Sequence, residues 1–79
     1  MSKVVEKKIL PQYFREVQSG KKNFELRKDE DNIQEGDILV LNEFNDGSST
    51  GRSVIRRVTY VLRNVPEYGL QEGYCIIGF

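Results

Sequence analysis

With 79 residues the chain has room for one domain spanning residues 1–79, and at this size about 60–65% of the unfolded surface can be buried, so modest stability is expected. Twelve basic residues balance twelve acidic ones, so bulk charge excludes a strongly basic grip on nucleic acid, and any such site must be a local patch. The absence of histidine removes the commonest metal ligand and the commonest acid–base side chain near neutral pH, and the single cysteine excludes an intramolecular disulfide.

The cysteine usage fits a reducing, cytoplasmic setting. Residues 1–8 lack the long apolar run of a signal peptide. No stretch approaches the roughly 20 apolar residues of a membrane span. No membrane, metal or cofactor is therefore expected.

In chain order, residues 4–10 read as a first strand, with Lys7 and Lys8 weakening its alternation. Pro11 suits the first position of a helix, Leu10, Phe14 and Val17 recur at helical spacing, and Gly20 is a natural stop, so a helix is predicted over about 11–19. Residues 23–28 alternate as a strand. Phe24 and Leu26 are expected on its core face, and Asn23, Glu25 and Arg27 on the face toward a cleft or solvent. Asp29 to Asn32 reads as a solvated acidic loop, and its spacing is not that of an EF-hand.

Glu35-Gly36-Asp37 reads as a turn into a strand from Ile38 to Phe44, apolar on both faces through Leu41. The Asn, Asp, Gly and Ser of residues 45–51 read as a loop, and a return strand is expected over residues 53–62. Residues 65–70 read as irregular and 74–79 as a closing strand. Phe14, Phe24 and Tyr60 are expected in the core, Tyr13 and Tyr68 on the surface, and Cys75 is read as a small buried hydrophobe.

The densest set of fixed charges beside apolar anchors lies in residues 19–27. Arg27 offers a planar fork suited to phosphate or a base edge, and Lys22 a point charge. Glu25 can accept from an amino group or orient Arg27. The plain alternative is a surface ion-pair cluster worth about 0–1 kcal/mol. If the strands over 23–28 and 53–62 are neighbours, Lys21, Lys22, Arg27, Lys28, Arg52, Arg56, Arg57 and Arg63 could form a basic stripe for phosphates.

Gly20, Lys22, Glu25 and Arg27 together spell G-x-K-x-x-E-x-R, which resembles the signature of the ASCH domains, relatives of the PUA-like RNA-binding barrels. The resemblance continues through Ile9-Leu10-Pro11-x-Tyr13-Phe14, Gly36-Asp37-Ile38-Leu39, residues 56–62 and Glu72-Gly73-Tyr74, and so covers nearly the whole chain. It implies a mixed α+β, mainly β fold: a small PUA-like barrel of about five strands with one short helix after the first. It also implies that the motif lines a cleft beside the helix, in a module that binds RNA or a nucleotide. Lys21, Lys22, Glu25, Arg27 and Arg57 are then the candidate binding residues.

Two alternatives stay open. One ASCH branch resembles amidohydrolases of a modified cytidine that use a lysine, a threonine and a later glutamate. Here Lys22 matches the lysine, Glu25 stands in the threonine's place, and the later glutamate has no equivalent. Lys22 and Glu25 would be the catalytic pair of such a small hydrolase, but without a hydroxyl the covalent route is not expected. The other alternative is a protein-interaction domain using an exposed strand edge.

Overall fold

A computed structural model describes residues 2–79, which form six strands and one α-helix. β1 (Val4–Ile9) pairs in parallel with β3 (Ile38–Asn45), and β3 pairs antiparallel with β4 (Ser48–Arg57). β2 (Phe24–Lys28) pairs antiparallel with β6 (Tyr74–Gly78), which pairs antiparallel with β5 (Tyr60–Arg63). The result is two open three-stranded sheets, ordered β1-β3-β4 and β2-β6-β5.

This corrects the expected five-stranded PUA-like barrel. A barrel needs a backbone ladder between every pair of neighbouring strands. Here β1 and β2 are both sheet edges and share no ladder, and the same holds for β4 and β5. The single return strand expected over residues 53–62 is in fact two strands in different sheets. The chain crosses between them at Val58 and Thr59. Val58 N–H donates to Asp37 O of the first sheet's turn, and Thr59 N–H to Gly78 O of the second sheet, each at 2.9 Å. Residue pairing changes partner sheet within one peptide unit, so alternation alone cannot register the break.

The core lies between the inner faces of the sheets. It comprises Ile9, Phe14, Val17, Ile33, Leu39, Leu41, Val54, Val58, Cys75 and Ile77. α1 (Pro11–Gln18) carries Phe14 and Val17 into it and packs on β3 and β4. Leu10 is exposed, contrary to the expected apolar stripe, because it is the extended N-cap residue and not part of the helical wheel. At the other end Gly20, at φ 83°, closes the helix. Gly20 N–H donates to Val17 O and Lys21 N–H to Glu16 O, both at 3.0 Å, which is the Schellman arrangement. Arg56 adds a guanidinium bond to Val17 O at 3.2 Å.

The acidic loop is not merely solvated charge. Asp29 takes a two-pronged ion pair from Arg63 of β5 at 2.6 and 3.0 Å, while Asp31 and Glu30 hold Lys7 of β1 at 2.6 and 3.2 Å. The loop thus ties an edge of one sheet to an edge of the other. Lys7 faces inward on β1, and these carboxylates supply the partners that an inward ammonium requires.

Candidate functional site

β2 alternates as predicted, but in the opposite sense. Phe24 and Leu26 are 47% and 57% exposed, whereas Glu25 is only 4% exposed. The register gives the reason. Glu25 stands beside Ile77 and Arg27 beside Cys75, and those β6 residues face the core. Phe24 and Leu26 instead share the outer face with Tyr60, Leu62 and Ile76. Tyr60, expected in the core, is 58% exposed on that same face. Because β2 is an edge strand, its inward polar face opens onto the seam where the barrel fails to close.

That seam is a cleft of about 400 Å³, lined by Lys8 and Ile9 from the end of β1, Leu10 from the N-cap of α1, Tyr13 from α1, and Lys22 with residues 24–27 from β2. α1 spans the two edges, and its Schellman turn brings Lys22 back beside the helix: Lys22 N–H donates to Glu16 O at 2.9 Å. Within the cleft, Lys22 Nζ donates to Glu25 Oε1 and, at 2.7 Å, to Phe24 O. Arg27 donates to Glu25 Oε2 through Nε at 3.0 Å, and one of its terminal nitrogens lies 2.9 Å from the same oxygen in the ion pair. The same terminal nitrogen of Arg27 also donates to Lys8 O, so a side chain links β1 and β2 where a backbone ladder is missing.

Both Glu25 oxygens are therefore occupied, and the triad carries a net positive charge. The second terminal nitrogen of Arg27 makes no hydrogen bond among the described residues, and neither does one of the three Lys22 hydrogens. The Lys22 ammonium lies 4.9 Å from the centroid of the Phe24 ring and 5.6 Å from that of Tyr13. Exposed aromatic faces and partly free cations thus meet in one concave place. This can hold a planar ring next to an anion.

Of the candidate residues, the fold brings Lys22, Glu25 and Arg27 together. Lys21 is exposed on the turn beside them and does not line the cleft. Arg57 lies exposed on β4 in the other sheet, paired with Ile38, also outside the lining. The continuous basic stripe does not form, since β2 and β4 belong to different sheets. Arg63 is held by Asp29, Arg52 by Glu43, and Arg56 by the helix end.

Glu43, like Asp37, is a buried polar residue that the sequence reading missed. It is fully buried opposite an irregularity in β4, where Asn42 pairs with Ser53 and Phe44 with Ser49. Its Oε1 accepts from Thr50 Oγ1 and from Arg52, each at 2.7 Å, and Arg52 lies over the Phe14 ring. Its Oε2 is buried without a partner among the described residues. The Thr50 hydroxyl and the Arg52 guanidinium hold its pKa below the usual carboxylate value, against the opposing effect of burial. The signal was present: Leu39, Leu41 and Glu43 are spaced by two, so Glu43 shares the core face. Among the described residues no cluster of acidic or thiol side chains could hold a metal ion, and no helix is long and apolar enough to cross a membrane.

Comparison with known proteins adds two findings. Residues 4–79 match the family described as "Domain of unknown function (DUF3850)". The chain is also similar to an "Uncharacterized 12.9 kDa protein in GpA 3'region" of Escherichia phage P2, with 44% identity over 61 residues. That match takes in 77% of this chain and 56% of the phage protein, so the chain spans about half the length of the curated relative.

Proposed function

This chain belongs to the DUF3850 family, and from that premise we propose that it is a binding module for single-stranded RNA or a nucleotide, with the seam between β1 and β2 as its site. The observation that carries this reading is the coincidence of two exposed rings, Tyr13 and Phe24, with the Lys22–Glu25–Arg27 triad in one cleft. The rings serve a base and the cations a phosphate. Glu25 positions the two cations and leaves each with hydrogens for a ligand. The resemblance of G-x-K-x-x-E-x-R to the ASCH signature supports the same reading.

The hydrolase alternative draws less support, because Glu25 stands where the resemblance calls for a threonine hydroxyl and its carboxylate is held in ion pairs by Lys22 and Arg27. The protein-interaction alternative draws on a single observation, the exposed Phe24, Leu26 and Tyr60 on the outer face of the second sheet.

The test is titration of a short single-stranded RNA by fluorescence anisotropy at several salt concentrations. Affinity is expected to fall with salt. Arg27→Ala should reduce the slope of log K against log salt by about 0.7, the value for one phosphate contact on a single strand. Lys28→Ala, on the same strand but outside the cleft, should leave the slope unchanged. Equal slopes for Arg27→Ala and the unaltered chain would remove the triad from the site.

A further inference from the structure

We infer that the site takes two consecutive nucleotides, one on each side of the end of β1, and that Lys8, Phe44 and the turn at Asp46–Gly47 form the second position. The inference rests on the nucleotide reading above and extends it to a part of the surface that the motif does not reach.

The cleft has a neighbour. A second depression of about 230 Å³ is lined by Lys8, Ile9, Leu10, Phe44, Asp46 and Gly47. Lys8, Ile9 and Leu10 line both, so the two depressions share one wall, the last residues of β1 and the N-cap of α1. They also share a chemistry. In the first, the Lys22 ammonium lies over Phe24. In the second, the Lys8 ammonium lies 4.7 Å from the centroid of the Phe44 ring. In each depression a lysine ammonium thus lies over an aromatic ring.

A base entering the second depression displaces the Lys8 ammonium from the ring face, since that ammonium has no hydrogen-bond partner among the described residues. The flexible four-carbon stem of lysine lets the charge follow to a phosphate nearby. For the second depression that phosphate is the one joining the two nucleotides, which crosses the shared wall where Lys8 stands. The remaining lining fits a base rather than a phosphate. The Asp46 carboxylate repels an anion but can accept from an exocyclic amino group. Gly47, at φ 78°, closes the hairpin, and a Cβ added there would meet nothing within 4 Å, so the approach over the turn is open. A mononucleotide fills only the first position. A dinucleotide fills both.

The experiment compares adenosine monophosphate with the dinucleotide ApA on the isotopically labelled 79-residue chain, reading backbone amide shifts by NMR. Both ligands are expected to move Leu26 and Tyr13 amides in the cleft, while only ApA moves those of Phe44 and Gly47. The dinucleotide should bind roughly tenfold or more tightly, the gain of one further stacked base. Phe44→Leu should remove that gain and leave adenosine monophosphate binding unchanged. Equal affinities with unmoved Phe44 and Gly47 amides would overturn the second position and leave the nucleotide reading standing. No movement in either depression with either ligand would overturn both.

Discussion

Glu25 shows how far one side chain can depart from its residue-level expectation. A carboxylate is rarely buried unless it is paired, and here two cations pair it on both oxygens. Phe24 and Leu26 are displaced to the outer face as a consequence, because on a strand only one of two alternating sets can face inward. Mutational cost should follow this observed register. Phe14→Ala, in the core, is expected to lose about 3–5 kcal/mol in denaturant unfolding. Phe24→Ala, on the outer face, should lose no more than about 1 kcal/mol. Comparable losses from the two would mean that β2 presents Phe24 to the core after all.

At the scale of the element, α1 is a positioning device as much as a core contributor. Its eight residues are too few to be stable alone, so it depends on Phe14 and Val17 in the core and on its two ends. Pro11 starts it with a preset backbone angle, and Gly20 ends it in a left-handed conformation that turns Lys22 toward Glu25. A methyl group at residue 20 would meet nothing within 4 Å, so the cost of Gly20→Ala is conformational and not steric crowding from neighbours. It is expected to be about 1–2 kcal/mol, the penalty for a left-handed residue bearing a Cβ. Thermal unfolding checks this, and the same variant should weaken ligand binding in the cleft because Lys22 depends on the turn. A Gly20→Ala variant as stable as the parent would show that the helix end does not need this conformation.

For the whole molecule, ionic ties supplement the core. Asp37 is one of them, joining the start of β1 to the start of β3 within the first sheet. It is buried at the start of β3 and accepts from Lys3 Nζ at 2.8 Å, from Gln34 N–H at 2.8 Å and from Lys3 N–H at 3.0 Å. Chiefly the Lys3 ammonium, and then these two amides, lower its pKa from 3.8 to about 2. A carboxylate whose folded pKa is depressed adds stability above its unfolded pKa and loses that contribution as pH falls through the folded one. The contribution is therefore complete above about pH 4 and declines toward pH 2. Urea unfolding across this range should show Asp37→Asn less stable than the parent at pH 6 and the difference shrinking toward pH 2. A difference that stays constant with pH would show that Asp37 does not act through its charge.

Much of the local structure was legible because it depends on neighbours in sequence. Pro11 with Phe14 and Val17 marks the helix, Gly20 its end, alternation the strand through Phe24 to Lys28, and the apolar run at Ile38 a central strand. The charges at Lys22, Glu25 and Arg27 also stood out as a group, since they lie within six residues of one another. Tertiary structure alone decided which face of β2 points inward, because that depends on β6, whose pairing residues lie some fifty positions further along the chain. It alone decided that β4 and β5 part at Val58 and Thr59 into different sheets, leaving two unpaired edges instead of a closed wall. The cleft lies at the other open seam, between the edges β1 and β2, which likewise share no ladder. Periodicity reports which residues share a face; only long-range pairing reports what that face meets.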